Sequence, residues 1–275
     1  MNAFIYAIAG ILQGILEWIP ISSEGILFVY FSYVHLDPLT AFVLAISFHL
    51  PTALAAIIYF NKEFKILFSL KWLKETNKET EFILIGSIAT AVVAIPLYFA
   101  YKILLSNMEN VVESASFLSL LLVGLAMTVT GLSIRTIEIN EGAKKRLSDG
   151  ALRDYILVGL IQGLAIIPGV TRSGVTIAAL IWRGFDKEDV MRGSFLLAPI
   201  VSIGAFVLEI IAGDLSLTTI FSSEILLALL VALFVSILSI RGILFLVRRM
   251  TYWKFLVFIG SIMLTFNLIY LFIHI

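Results

Sequence analysis

The sequence predicts an all-α polytopic membrane protein with two inverted-topology repeats, each a re-entrant helical hairpin followed by three transmembrane helices. Three observations carry this prediction. Of the 275 residues, 60% are hydrophobic and only 14% are charged, whereas about a quarter are charged in a soluble domain. Six apolar segments are long enough to cross a bilayer, and one sixteen-residue motif occurs twice.

Composition also excludes several classes of function. Cysteine is absent, which rules out disulfides, cysteine–zinc sites and thiol nucleophiles. Basic and acidic residues number 19 each, and no basic block is interleaved with aromatic residues, so nucleic-acid binding is not expected. The N-terminal stretch MNAFIYAIAG lacks a basic region and a small-residue cleavage site, so we expect no cleaved signal peptide.

The six predicted spans each provide the roughly 20 apolar residues that cross about 30 Å of hydrocarbon. They are approximately 38–60, 82–105, 114–136, 190–212, 224–247 and 252–274. Two further apolar regions, 2–34 and 153–182, are interrupted near the middle by proline, glycine and hydroxyl residues. Interrupted segments of this kind are typical of re-entrant hairpins, whose free backbone groups must face protein or water.

The loops predict the topology. Seventeen of the 19 Lys and Arg residues lie in four regions, 60–82, 135–153, 183–192 and 241–254, which are therefore expected in the cytoplasm. Both termini then lie on the outer side of the cell membrane, and the two hairpins enter the membrane from opposite faces. We expect a single membrane domain over 1–275, with repeat one at about 1–136 and repeat two at about 150–275.

The repeated motif is GILQGILEWIPISSEG at 10–25 and GLIQGLAIIPGVTRSG at 159–174. Gly10, Gln13, Gly14 and Gly25 match Gly159, Gln162, Gly163 and Gly174 without a gap. Glu17 in the first copy and Arg172 in the second are charges at predicted membrane depth. Such a charge costs roughly 2.5–3.5 kcal/mol on insertion scales, so it marks a functional site. We expect the two hairpin tips to meet in one composite anion site.

The first copy places Gln13 and Glu17 four residues apart, on one helix face. Ser22, Ser23 and Glu24 follow a proline and precede an apolar run, which predicts a helix N-terminus whose free N–H groups attract anions. Two structural alternatives stay open. In the first alternative, the hydroxyls act only as helix caps. In the second, Glu17 is a protonated carboxyl bonded to neighbouring backbone.

The second copy predicts a corresponding phosphate site at a helix N-terminus. Its candidate substrate-binding residues are Thr171, Arg172, Ser173, Gly174 and Thr176. Arg172 contributes a planar fork of donors that matches phosphate oxygens. Gln162 is either part of this site or only a hydrogen-bonding contact between helices.

These motifs resemble those of the undecaprenyl-diphosphate phosphatases of the bacitracin-resistance type. The first family motif stands here as Gln13, Glu17, Pro20, Ser22 and Ser23. The second stands as Pro168, Gly169, Thr171, Arg172, Ser173, Gly174 and Thr176, with Thr171 in place of the family serine. Gly184 and the stretch Ser194–Pro199 also follow the family pattern. The resemblance implies an integral membrane fold with two interlocked inverted repeats and two re-entrant hairpins.

The resemblance implies hydrolysis of a polyprenyl diphosphate to the monophosphate and inorganic phosphate, which recycles a lipid carrier for envelope glycan synthesis. Catalysis would fall to Glu17, Ser23 and Arg172, with Ser23 as nucleophile and Glu17 as base. A divalent cation, magnesium or calcium, would bind at Glu17 and Gln13. The partners expected are the lipid substrate and the bilayer, with a homodimer left open.

One position departs from the family pattern, because Ile26 stands where the family has a histidine that is implicated in proton transfer or attack. The acid–base group is therefore open, and His49 and Glu24 are auxiliary candidates. The alternative function is a carrier or flippase that binds a lipid phosphate without hydrolysing it. A channel is disfavoured, because no row of charges lines a predicted span.

Overall fold

A computed structural model describes residues 3–20, 23–36, 38–69, 77–105, 145–166, 171–211 and 223–249. It also describes residues 125, 128, 132, 251, 253, 254, 257, 258, 260, 261, 264 and 265. The helices of the described ranges are α1 Ala3–Leu16, α2 Ser23–Tyr33, α3 Pro38–Ser47, α4 His49–Tyr59, α5 Asn61–Phe68, α6 Lys78–Leu105, α7 Leu152–Gly163, α8 Arg172–Trp182, α9 Lys187–Ile211 and α10 Ser223–Arg249. The described part of the chain is thus helical, as predicted, with an isolated parallel bridge between Lys145 and Phe185.

Three helices are long and apolar enough to cross a membrane, namely α6, α9 and α10. They coincide with the spans predicted over 82–105, 190–212 and 224–247. The described residues contain up to four spans if a bent helix pair is counted as one. The spans predicted over 114–136 and 252–274 lie almost wholly outside the described residues.

The span predicted over 38–60 consists of two helices, α3 and α4, separated by one residue. It is interrupted at Phe48, between α3 and α4. Pro51 explains the interruption, because it has no N–H to donate to the Ser47 carbonyl and its ring crowds that carbonyl. At Phe60 the chain then bends by 94° into α5.

Both predicted hairpin breaks fall between helices. In the first, α1 ends at Leu16 and α2 begins at Ser23, and the two helices pack together. In the second, α7 ends at Gly163, a 3₁₀ turn covers Leu164–Ile166, and α8 begins at Arg172 and packs on α7. Residues 21–22 and 167–170 lie outside the described residues. Pro20 lies in the first break, where it accounts locally for the end of the first stem.

The chain forms two compact units, and each combines segments from both sequence repeats. Unit 1 contains residues 1–71 and 195–243, and unit 2 contains residues 72–194 and 244–275. In unit 1, the indole of Trp18 is fully buried and meets the Phe195 ring edge-on, with 5.0 Å between centroids. A second cluster in unit 1 packs Leu27 and Phe31 of α2 against Leu44 of α3.

Glycines bring the first stem of each hairpin against a long helix of the same unit. In unit 1, α1 lies on α10, where a Cβ on Gly10 would collide with the Ala228 carbonyl oxygen. A Cβ on Gly14 would lie 2.7 Å from Val235 Cβ and 3.0 Å from the Ala232 oxygen. The small-residue spacing therefore produces the close helix approach that it favours in membranes.

In unit 2, α7 lies on α6 in the corresponding way. A Cβ on Gly159 would collide with the Gly86 carbonyl oxygen. A Cβ on Gly163 would lie 2.5 Å from Val93 Cβ and 2.9 Å from the Thr90 oxygen. Because Gly159 and Gly163 have no side chains, the backbone of α7 packs directly against α6.

Candidate active site

The first hairpin holds an acidic cluster, defined here as Gln13, Glu17, Ser23 and His49. Glu17 lies just after α1, and Ser23 is the first residue of α2. The Ser23 hydroxyl donates to Glu17 Oε2 at 3.0 Å, and Gln13 Nε2 donates to the same oxygen at 2.9 Å. His49 Nδ1 lies 2.9 Å from that oxygen. The break in the hairpin thus folds the predicted nucleophile back onto the predicted base.

Three of the four residues of the acidic cluster are buried, and the His49 side chain is 19% exposed. Gln13, Glu17 and Ser23 are 0%, 5% and 5% exposed. A carboxylate that is removed from water needs several donors, and the contacts to Glu17 Oε2 supply them from α1, α2 and α4. The contacts to Glu17 Oε2 come from side chains rather than from neighbouring backbone. His49, which the sequence left as an auxiliary candidate, joins this cluster from the first residue of α4.

The carbonyl end of Gln13 is the unsatisfied group of the acidic cluster. Its Oε1 is buried and has no hydrogen-bond partner among the described residues. Glu24 follows Ser23 in the first turn of α2 and interacts electrostatically with both His49 and Glu17. Ile26 is partly buried on the same helix. Ser22, a predicted substrate-binding residue, lies outside the described residues.

The second hairpin holds a basic cluster, defined here as Thr171, Arg172, Ser173 and Thr176. Thr171 caps α8, because its hydroxyl accepts a hydrogen bond from the Gly174 N–H at 3.1 Å. The Arg172 guanidinium donates from Nη1 to the Ser194 carbonyl oxygen at 3.0 Å, and Ser173 is buried. The predicted helix N-terminus is therefore present, with a guanidinium in its first turn and the positive end of the helix dipole beside it.

Thr176 is engaged within the protein. Its hydroxyl lies 2.7 Å from both Gln162 Oε1 and the Arg172 carbonyl oxygen. Gln162 in turn donates from Nε2 to Thr90 Oγ1 at 2.9 Å. The alternative that Gln162 joins helices is thus the one that the structure shows. The sequence analysis missed Thr90, although a threonine four residues after Gly86 in an apolar span offers a weak signal of a polar helix contact.

A charged cluster closes the base of the second hairpin, and the sequence analysis did not find it. Asp154 lies in the first turn of α7, and its carboxylate lies 2.7 Å from Lys145 Nζ and 2.5 Å from Arg183 Nη2. Arg183 follows the last residue of α8, so Asp154 ties together the two ends of the hairpin. Burial raises the pKa of Asp154, but hydrogen bonds from Lys145, the Ala151 N–H and Arg183 outweigh it and lower the pKa to about 2.

Two further ion pairs join helices of unit 2. Arg192 of α9 binds Glu79 of α6 through two contacts, Nη1 to Oε1 at 2.8 Å and Nη2 to Oε2 at 3.0 Å. Arg248 of α10 lies 3.2 Å from Glu188 of α9. These residues come from the regions that the lysine and arginine distribution predicts to be cytoplasmic.

Among the described residues, no group of three or more His, Asp or Glu side chains is arranged to hold a metal ion. The acidic cluster offers a smaller set of donors. Its Glu17 carboxylate and the unpartnered Gln13 carbonyl oxygen are the hard oxygen ligands that magnesium and calcium prefer. The residues present therefore fit the predicted cation.

The chain matches known proteins over nearly its whole length. The family model described as bacitracin resistance protein BacA matches residues 6–264. An undecaprenyl-diphosphatase from Haloarcula marismortui is 35% identical over 95% of this chain and 96% of its own. Relatives with the same name from Methanopyrus kandleri and Pyrobaculum aerophilum are 33% and 32% identical, covering 94% and 89% of this chain and 93% and 89% of their own. The chain belongs to the bacitracin resistance protein BacA family.

Proposed function

We propose that this protein is a membrane phosphatase that hydrolyses undecaprenyl diphosphate to the monophosphate and inorganic phosphate. The observation that carries the proposal is the buried contact of 3.0 Å between the Ser23 hydroxyl and the Glu17 carboxylate. A hydroxyl held by a carboxylate is the arrangement of an activated oxygen nucleophile. Family membership and the names of the relatives supply the substrate class.

In the proposed reaction, Ser23 Oγ attacks the terminal phosphorus of the diphosphate and Glu17 takes the hydroxyl proton. The bond between that phosphorus and the bridging oxygen breaks, and the polyprenyl monophosphate leaves. Water then hydrolyses the phosphoserine, which releases inorganic phosphate and restores the Ser23 hydroxyl. The transition state concentrates negative charge on the phosphoryl oxygens, and donors arranged beforehand stabilise it.

Arg172 and the N-terminus of α8 supply those donors in the proposal. The guanidinium is tethered to the Ser194 carbonyl oxygen, which limits the freedom that binding would otherwise have to remove. The buried hydroxyl of Ser173 adjoins Arg172 in the first turn.

His49 fills a place that the resemblance left open. The chain has Ile26 where the family pattern has histidine, yet an imidazole reaches Glu17 from α4, with Nδ1 2.9 Å from Oε2. We propose that His49 donates this hydrogen bond and orients the carboxylate toward Ser23.

A divalent cation is part of the proposal, with Glu17 and Gln13 as its protein ligands. When bound, magnesium or calcium neutralises phosphate oxygens. The Gln13 carbonyl oxygen, which lacks a partner among the described residues, supports this assignment. Gln13→Leu should then weaken the cation dependence of activity while the hydroxyl–carboxylate contact remains.

The proposed setting is the cell membrane, with both termini outside, the loop at 61–81 in the cytoplasm and the site open to the outer face. The distribution of Lys and Arg supports this orientation. Single cysteines introduced by Lys71→Cys and Gly213→Cys test it in a chain that has no native cysteine. An impermeant thiol reagent should label Gly213→Cys in intact cells and Lys71→Cys only after lysis. The opposite pattern would invert the orientation.

Phosphate release from undecaprenyl diphosphate by the detergent-purified protein tests the proposed activity. We expect release that depends on magnesium or calcium and that is lost in Ser23→Ala. Ser23→Thr, which keeps a hydroxyl, is the matched control. Binding of the lipid without release by the wild-type protein would contradict the phosphatase and favour the carrier alternative.

A further inference from the structure

We infer that Thr90, on α6, is a positioning residue that fixes Arg172 through a buried hydrogen-bond chain of two further side chains. The inference rests on the proposed role of Arg172 in holding the phosphate. Thr90 lies outside both copies of the repeated motif, and it contributes nothing to the acidic cluster. Its side chain nevertheless stands at the origin of the polar contacts that reach the first turn of α8.

The chain of hydrogen bonds crosses three helices of unit 2. The Thr90 hydroxyl lies 2.8 Å from the Gly86 carbonyl oxygen and 3.1 Å from that of Gly159 on α7. The same Thr90 oxygen accepts from Gln162 Nε2 at 2.9 Å. Gln162 Oε1 then accepts from the Thr176 hydroxyl of α8 at 2.7 Å. The side chains of Thr90, Gln162 and Thr176 are 3%, 1% and 0% exposed.

The direction of these hydrogen bonds follows from the number of protons that each group can donate. A threonine hydroxyl carries a single proton, so Thr176 donates either to Gln162 or to the Arg172 carbonyl. The Arg172 carbonyl is the i−4 acceptor of the Thr176 backbone N–H in a helix, so it does not need the hydroxyl. Gln162 Oε1, buried in an apolar surrounding, does need it. The proton therefore goes to Gln162, whose amide in turn is held by Thr90.

The end of this chain lies one turn from the predicted phosphate-binding guanidinium. Thr176 and Arg172 are four residues apart on α8, and the Thr176 oxygen also touches the Arg172 carbonyl at 2.7 Å. A rotation of α8 about its axis would break the contact to Gln162. On the other side, the Arg172 guanidinium is held by the Ser194 carbonyl oxygen. The first turn of α8 is therefore fixed at its backbone by the Thr90 chain and at its side chain by α9.

Thr90→Val tests the inference, because it keeps the shape of threonine and removes the hydroxyl. We expect kcat/KM for phosphate release from undecaprenyl diphosphate to fall about 10- to 100-fold, the range expected when a reacting group is displaced by a fraction of an ångström to an ångström. Thr90→Ser keeps the hydroxyl and should stay within about 3-fold of the wild type. Thr90→Ala removes the hydroxyl with less crowding and serves if the valine variant does not purify as a folded protein.

A double-mutant cycle separates positioning from general destabilisation. In an Arg172→Lys background, which keeps a residual rate, the Thr90→Val change should cost no more than about 2-fold, because the group that it positions is gone. A full 10-fold or larger loss in both backgrounds would overturn the inference. Equal losses in Thr90→Val and Thr90→Ser would overturn it as well, since the hydroxyl would then be irrelevant.

The proposed function and this inference fail in different ways. If the wild-type protein releases no phosphate, the phosphatase proposal fails, and the same cycle is then measured as affinity for undecaprenyl monophosphate in detergent. We expect the same pattern, with weaker binding by Thr90→Val only when Arg172 is present. Binding that is unchanged by Thr90→Val would overturn the positioning role independently of turnover.

Discussion

The two hairpins use one glycine–glutamine motif in the same packing arrangement but give its glutamine opposite tasks. In unit 1, Gln13 turns its amide to Glu17 and leaves its carbonyl oxygen without a described partner. In unit 2, both ends of Gln162 are satisfied, by Thr90 and by Thr176. The comparison teaches that the glycines determine how the stems pack, while neighbouring residues decide how the amide of the glutamine is satisfied, among them one residue on the facing long helix.

That neighbouring residue can be identified from the packing itself. The glycines of α1 meet α10 at Ala228, Ala232 and Val235, and those of α7 meet α6 at Gly86, Ala89, Thr90 and Val93. Three of these positions share one spacing along the two long helices, and Thr90 takes the place of Ala232. Alanine offers no hydroxyl to Gln13, whereas threonine offers one to Gln162. The glutamine of the first hairpin is thereby left to serve the acidic cluster.

The largest expected effect comes from removing the charge that distinguishes each hairpin. Arg172→Ala and Glu17→Gln should each lower kcat/KM about 10²- to 10³-fold or more, a loss typical of deleting one transition-state donor. Arg172→Lys should also fail substantially, because a point charge does not grip two oxygens as a fork does. Phosphate release in detergent measures all three. Near-normal activity in Arg172→Ala would show that the basic cluster is not part of the active site.

The shared packing of the two hairpins is tested by adding one methyl group to each stem. Gly10→Ala and Gly159→Ala both drive a Cβ into a backbone carbonyl, which cannot rotate away. Overpacking of this kind costs about 1–3 kcal/mol, so both variants should melt at lower temperature in detergent. Gly204→Ala and Gly242→Ala are matched controls in long helices, because a Cβ there meets nothing within 4 Å. A lower melting temperature in only one of Gly10→Ala and Gly159→Ala would show that the two stems are not packed in the same way.

The features that the sequence predicted well are local. Pro20 ends the first stem of the first hairpin, Thr171 and Ser23 start the second stems, and the glycine spacing marks the packing face. These depend on residues a few positions apart. The contacts of Glu17 with His49 and of Gln162 with Thr90 join residues 32 and 72 positions apart in the chain. They depend on how helices are rotated and shifted against each other, which periodicity alone does not specify.

The interruption at Phe48 was missed for a related reason. The apolar run from 38 to 60 is long enough for a span, and length dominated the prediction, although Pro51 lay within it. That interruption places His49 at the start of a new helix, where it meets Glu17. The sequence analysis therefore named His49 as an auxiliary candidate without being able to place it.

A smaller effect should separate the two glutamines. Gln162→Leu removes the partner of two buried hydroxyls, and we expect about 1 kcal/mol of lost stability, since both hydroxyls retain a carbonyl within their own helix. Gln13→Leu should leave the melting temperature nearly unchanged and lower activity, because its amide serves Glu17. Melting and phosphate release measured on the same preparations test this. Equal melting losses in the two variants would contradict the division of tasks.

A further effect of similar size, which depends on pH, concerns the bases of the two hairpins, which are held together by different interactions. In the first, the Tyr30 hydroxyl of α2 donates to the Ile5 carbonyl oxygen of α1 at 2.9 Å. In the second, Asp154 of α7 pairs with Arg183 at the end of α8 and with Lys145. The hydrogen bond in the first hairpin joins neutral groups, whereas the ion pairs in the second hairpin depend on an ionised carboxylate. Only the second should therefore respond to acid.

The direction of that response follows from the pKa of Asp154, which is lowered from 3.8 to about 2 in the folded protein. A lowered pKa adds stability above the unfolded value, and this stability is lost as the pH falls through the folded value. Asp154→Asn should therefore cost about 1–2 kcal/mol at pH 6–7, and the difference from the wild type should shrink as the pH falls from about 4 toward 2. Thermal unfolding in detergent across this range measures it, with Tyr30→Phe as the control whose cost should stay constant. If the loss of stability in Asp154→Asn were as independent of pH as that in Tyr30→Phe, the Asp154 carboxylate would contribute through its shape rather than its charge. The bases of both hairpins would then be stabilised by interactions that do not depend on ionisation.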